Sequence, residues 1–245
     1  MGSQKCGTTW WFSLLNAHPE VQAQAVKELR ALISYRRPTP ADVAEYARWF
    51  PRPPGQQTGE WTPSYMTASW TGRAIVAAAP DAKLLVAVRD PVERYRSGVP
   101  QWHKYHTGEI GDLRREAQKA RRQALSRGFY GRQLNQLADV VGREHILVLQ
   151  YERCARDPRG EYARTLAFLG LTSWEPPEGL LARRSAASSV REPLTDEERA
   201  ELVESYAPDV DILRSFAPDL DLSLWPNFAA SASLGIRAPR PTSSQ

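Results

Sequence analysis

The segment Gly2-Ser3-Gln4-Lys5-Cys6-Gly7-Thr8-Thr9 has two glycines five positions apart, a lysine between them, and hydroxyl residues opening an apolar helical pattern of Trp10, Trp11, Leu14 and Leu15. These residue types suit an anion cradle. Glycine lets the backbone turn so that successive N–H groups converge on phosphate oxygens, and the N-terminus of the following helix adds partial positive charge. The nucleoside-triphosphate form of such a loop places lysine directly after the second glycine, followed by a Ser or Thr that holds Mg²⁺. Here Thr8 follows Gly7 and the lysine, Lys5, sits inside the loop. A glycine turn capped by threonines is the purely structural reading of the same residues.

A second segment of this kind follows the apolar run Lys83–Val88 (KLLVAV): Arg89-Asp90-Pro91-Val92-Glu93-Arg94-Tyr95-Arg96-Ser97. It reads as a strand end turning into a helix, with Pro91 suited to the first turn. Where a parallel sheet gathers its strand C-termini at one crevice, Arg89 and Ser97 face the same ligand as the Lys5 loop, and a guanidinium with a hydroxyl can hold a second phosphate. The structural alternative is Asp90 capping the helix and pairing with Arg94.

The elements that must aim these loops follow from periodicity. Short apolar runs predict strands at Gln24–Leu29, Gln57–Glu60, Lys83–Val88 and His145–Gln150. Helical patterns run over Thr9–Ala17, Ala41–Phe50, Ser69–Ala79, Pro91–Tyr105, Leu113–Arg127, Tyr130–Val141 and Gly160–Leu169. Thr195 and Glu198 have capping-box spacing for a further helix, after a loop rich in Pro, Ser and Arg from Ser173 to Pro193. Strands alternating with helices predict an α/β fold, a three-layer α/β/α arrangement around a parallel sheet.

The chain of 245 residues suits one such domain, residues 1–228, and the Ala, Ser, Pro and Thr content of residues 229–245 reads as a disordered tail. Hydrophobic residues at 42% and charged residues at 24% exclude disorder of the whole chain. No apolar run has the length of a membrane span, and Met1 leads into a polar segment without a signal-peptide core. Cys6 and Cys154 stand far apart with no metal-ligand spacing, so a reducing cytoplasm is the expected compartment. A net charge of +4 favours an anionic partner without naming it.

Taken together, QKCGTTW and VRDPVERYRSG resemble the two donor-binding motifs of sulfotransferases that use 3′-phosphoadenosine 5′-phosphosulfate. KEL at Lys27–Leu29, GEWTPSY at Gly59–Tyr65 and LVLQYERCARDP at Leu147–Pro158 resemble further landmarks in the same order. The resemblance implies a P-loop-like fold of five strands and sulfuryl transfer to a hydroxyl, or secondarily an amine. The acceptor would be a carbohydrate, lipid or other small molecule, and 3′-phosphoadenosine 5′-phosphate the product. It implies no metal and no nucleic-acid partner, and it leaves the oligomeric state open. Lys5 and the backbone of Cys6, Gly7, Thr8 and Thr9 would hold the 5′-phosphosulfate, and Arg89 and Ser97 the 3′-phosphate. Trp10 would lie near adenine or pack beneath the loop, and Arg191 would close the long loop over the 3′-phosphate.

The resemblance also points to Glu60 as the base, in a segment usually found as E-K-x-x-x-Y. Trp61 stands where the lysine is usual, leaving Glu60 without an adjacent positive charge. His103 and His106 are the alternative bases. A loop of this type ordinarily follows a central strand, of which only Met1 and Gly2 precede Ser3. The first strand is therefore expected to be missing, with the natural start about 5 to 8 residues earlier. The competing readings are a nucleoside-triphosphate kinase and a noncatalytic nucleotide-binding scaffold.

Overall fold

The computed structural model describes residues 2–105, 113–182 and 190–229. Strand β1 (Leu84–Val88) pairs in parallel with β2 (Ile146–Gln150), with Leu84 opposite Ile146 and Val88 opposite Gln150. On the free edge of β1, Gly2 forms a single parallel bridge to Ala87, and Ser3 N donates to Ala87 O at 2.9 Å. A Cβ on Gly2 would lie 2.4 Å from Ala87 N, so only glycine permits this approach. The bridge aims the chain into the Lys5 loop directly above the end of β1.

Alternation along β1 separates two cores. Leu84, Val86 and Val88 pack on one face with α4 (Thr71–Ala78), α7 (Tyr130–Val141) and α11 (Asp196–Phe216). Leu85 and Ala87 pack on the other with α1 (Thr8–Asn16), α9 (Pro158–Leu169) and α10 (Glu178–Leu181). The expected α/β/α layering is thus present around a parallel sheet. The remaining helices are α2 (Ala31–Ser34), α3 (Pro40–Ala47), α5 (Pro91–Tyr105), α6 (Leu113–Ser126) and α8 (Tyr151–Arg156). The expected capping box forms in full: Thr195 Oγ accepts from Glu198 N, and the Glu198 carboxylate accepts from Thr195 N. Among the described residues no helix is long and apolar enough to cross a membrane.

Two expected strands, Gln24–Leu29 and Gln57–Glu60, do not form. Their pairing shrinks to one parallel bridge between Val21 and Gln57. Beyond it, side chains take the backbone groups that a ladder needs. Gln24 N donates to Asn16 Oδ1 at 2.6 Å, Leu29 N donates to Glu60 Oε2 at 3.2 Å, and Arg30 turns into the left-handed region at φ 61°. The described sheet accordingly has two strands plus bridges rather than five. The tail beyond residue 229 and the stretch 183–189 of the long loop lie outside the described residues.

Candidate active site

Lys5 and Gly7 both adopt left-handed backbone, at φ 76° and 78°, which folds the loop back on itself before α1. Gly7 is the N-cap of α1, and no side chain caps that end, so its first N–H groups face the loop. A Cβ on Gly7 would lie 2.6 Å from the Tyr151 ring. The left-handed turn and this contact together require glycine there. Cys6 is buried, its Sγ 3.8 Å from the Tyr130 hydroxyl, and burial pushes its thiol up to about 12. It is therefore a protonated packing residue rather than a nucleophile. Trp10 is 3% exposed and its Nε1 donates to Leu180 O at 2.9 Å, so its indole packs beneath the loop.

The second segment meets the loop through two side chains. The Tyr151 ring that abuts Gly7 carries the Arg89 guanidinium 5.0 Å from its centroid. Lys5 Nζ donates to Gln101 Oε1 at 3.2 Å, one helical turn beyond Ser97 on α5. Arg89 and Ser97 are both buried, and Arg89 Nε has no hydrogen-bond acceptor among the described residues. The nearest carboxylate to that nitrogen is Glu152, at 3.9 Å. Glu152 also accepts from Asp90 N at 3.1 Å and Trp225 Nε1 at 2.9 Å, yet burial outweighs these bonds and pushes its carboxyl up to about 7.

Asp90 caps α5 as expected, Oδ1 accepting from Val92 N and Glu93 N. Its other oxygen accepts from Asn227, so the Asp90–Arg94 pair suggested by their spacing does not form. Arg191 lies against α5, but its guanidinium binds Glu93, which Arg96 and Arg199 share. Glu93 also feels the Arg89 charge, so this contact keeps Arg191 near the second segment.

The two candidate carboxylates differ in what surrounds them. Glu60 Oε1 accepts from the hydroxyls of Tyr46 at 2.7 Å and Tyr65 at 2.6 Å, and Oε2 from Thr62 Oγ at 2.6 Å and Leu29 N at 3.2 Å. A carboxylate offers about four lone-pair sites, so Glu60 is filled. With Trp61 N donating to Lys27 O and Arg30 N to Thr62 Oγ, it ties residues 60–62 to residues 27–30. Glu28, in that tied segment, accepts from Lys27 Nζ at 2.9 Å and Arg30 Nη2 at 3.0 Å, leaving a lone pair on each oxygen. Burial opposes its ionisation, but these two cations prevail and hold its carboxyl below the usual range. Its charge is felt by Arg127, whose Nη1 binds Gln4 Oε1 of the loop and whose carbonyl accepts from Ser3 Oγ.

Gln101, Arg127 and Tyr151 thus touch the Lys5 loop, and Glu28 faces Arg127, positions that spacing alone did not single out. The His103 side chain and His106 lie outside the described residues.

Residues 29–176 match the model of the Sulfotransferase family, a span that holds Arg89 and Ser97 and begins after the Lys5 loop. The chain is 32% identical over 179 residues to heparan sulfate glucosamine 3-O-sulfotransferase 6 of Homo sapiens, covering 70% of this chain and 51% of that protein. It is 31% identical over 186 residues to human heparan sulfate glucosamine 3-O-sulfotransferase 3B1, covering 70% and 45%. The chain thus spans about half the length of the curated relatives it matches. Among solved structures, the sulfotransferase from Alicyclobacillus acidocaldarius superposes with a TM-score of 0.73 at 27% identity, over 92% of this chain and 96% of that one. The sulfotransferase domain from the Synechococcus PCC 7002 olefin synthase shares the fold, with a TM-score of 0.51 at 18% identity over 84% and 92%.

Proposed function

The chain belongs to the sulfotransferase family, and from that membership we propose that it moves a sulfuryl group from 3′-phosphoadenosine 5′-phosphosulfate to a carbohydrate hydroxyl. The observation that carries the donor assignment is the junction of the Lys5 loop and the Arg89 segment across Tyr151 and Gln101. It supplies two cationic anion sites side by side, one for each phosphate-bearing end of such a nucleotide. The donor supplies an activated sulfur; the acceptor oxygen bonds to it as the bond from sulfur to the 5′-phosphate oxygen breaks. Lys5 and the N-terminus of α1 meet the charge that builds on the departing phosphate. Arg89 and Ser97 hold the 3′-phosphate. Glu28 takes the acceptor proton, since its oxygens keep vacant lone pairs while those of Glu60 do not.

Glu60 in this reading fixes the backbone of Leu29 and so the direction of Glu28. The carbohydrate acceptor is supported by the heparan sulfate enzymes among the relatives. The cytoplasm is the proposed compartment, on the two buried free thiols. Transfer of ³⁵S-sulfate from labelled donor to an oligosaccharide panel, with simple alcohols alongside, tests the assignment: label is expected on at least one sugar. Label on the alcohols alone would move the acceptor class to non-carbohydrate hydroxyls.

Glu152 gives the donor site a pH dependence of predictable sign. With its carboxyl near 7, it becomes neutral as pH falls through that value and stops competing for Arg89. A bound phosphate raises the carboxyl further, so binding takes up a proton. Affinity for 3′-phosphoadenosine 5′-phosphate is expected to rise severalfold between pH 8 and pH 6.5, where the phosphate itself stays largely charged. In Glu152→Gln the same titration should be flat at the high-affinity level. An affinity that falls with acidification contradicts this role.

A further inference from the structure

Arg94 is completely buried in α5, at 0% exposure. Nη2 donates to Ala124 O and the guanidinium also lies against the neutral Tyr206 hydroxyl, while Nε and Nη1 find no hydrogen-bond acceptor among the described residues. Among the described residues no carboxylate lies within ion-pair distance of it. The two nearest acids in sequence are committed elsewhere, Asp90 to the helix cap and Asn227, and Glu93 to Arg96, Arg191 and Arg199. A buried unpaired charge is strongly destabilising, and an arginine cannot shed its proton to escape that cost.

Its surroundings place that charge under the donor site. A Cβ on Gly98, the residue after Ser97, would lie 3.1 Å from Nη1, so the guanidinium lies directly against that turn of α5. After burial, Arg94 is the largest electrostatic influence on the Cys6 thiol of the loop, ahead of Arg89. It also repels Arg127, whose guanidinium is pushed down to about 10 by burial first and then by Arg94 and Arg30. The cation therefore sits between the two phosphate-binding segments, in a low-dielectric place where its field is weakly screened.

We propose that Arg94 is a built-in countercharge for the donor nucleotide: an uncompensated buried cation that weakens the empty protein and is neutralised when phosphates occupy the Lys5 loop and the Arg89–Ser97 site. This inference rests on the donor reading above. It identifies Arg94 as a residue that raises affinity through space, without a hydrogen bond to the ligand. It also makes the stability of the fold and the occupancy of the site depend on one side chain with opposite signs.

Arg94→Met, which keeps an apolar stem of similar length, is the test. Without ligand the variant is expected to melt several degrees above the wild type, while its Kd for 3′-phosphoadenosine 5′-phosphate, measured calorimetrically, weakens tenfold or more. Arg94→Lys, which keeps the charge and loses the planar fork, is expected to bind within about threefold of the wild type. A Met variant that is less stable than the wild type, or that fails to fold, overturns the proposal, because Arg94 would then be a packing and hydrogen-bonding residue. So does a folded Met variant with undiminished affinity, or a folded Lys variant as weak as Met. If the wild type binds no bisphosphate at all, the donor reading fails, and the melting temperature of the empty Met variant still decides whether the charge is uncompensated.

Discussion

Lys5→Ala is expected to lower turnover by about 10²–10³-fold while weakening binding of 3′-phosphoadenosine 5′-phosphate by about tenfold. The asymmetry arises because the lysine meets charge that is largest in the transition state, when the bond to sulfur has loosened and the phosphate departs. The ammonium rests on Gln101, 3.2 Å from its Oε1. Alanine keeps a Cβ at the left-handed φ of 76°, so the variant carries the same backbone cost as the wild type and the loop should keep its shape. Steady-state rates beside calorimetric binding separate the two effects. Turnover within threefold of the wild type would remove the Lys5 loop from the chemistry.

Glu28→Gln is expected to cost about 10²–10⁴-fold in turnover, with unchanged melting temperature and unchanged bisphosphate affinity. The amide keeps the shape, its one oxygen accepting from Lys27 while the exposed Arg30 turns to water, but it cannot take a proton. Glu60→Gln is expected to behave differently, because its new NH₂ group must face two of the four donors that now point at the carboxylate. A buried donor left without an acceptor costs about 1–3 kcal/mol, so this variant should lose stability together with turnover. The wild-type rate should not vary through ionisation of the base between pH 6 and 8, since the Glu28 carboxyl is held below its usual range and is ionised throughout. If Glu60→Gln instead folds normally and is inactive while Glu28→Gln turns over freely, the proton goes to Glu60.

Much of the frame was legible in the residues. The KLLVAV and HILVLQ runs become β1 and β2, Tyr130–Val141 forms a helix over those residues, and the Thr195 capping box starts α11. These signals are local: an apolar run, a period, a cap. The candidate site was legible as local pattern, in the loop before α1 and in the Arg-Asp-Pro turn into α5, which the fold brings together. What local pattern could not supply is occupancy. Glu60 and Glu28 look alike in sequence, and the difference lies in Tyr46 and Tyr65, which approach from separate helices to fill Glu60. Arg94 sits four residues after Asp90, a spacing that suggests a surface pair. Burial of α5 against α6 and α11, and the capture of Asp90 by Asn227, leave it isolated instead. The strands expected at Gln24–Leu29 and Gln57–Glu60 fail for the same reason, because Asn16 and Glu60 reach the backbone first.

The proposed donor assignment requires that the Lys5 loop and the Arg89–Ser97 segment form one site for a nucleotide with phosphates at both ends. Calorimetric titration of the chain with 3′-phosphoadenosine 5′-phosphate, beside ATP with magnesium and repeated on Arg89→Ala, tests it most directly. Micromolar binding of the bisphosphate, lost in Arg89→Ala and unmatched by ATP, is the predicted result. Equal or tighter binding of magnesium ATP, or bisphosphate binding that survives Arg89→Ala, contradicts it.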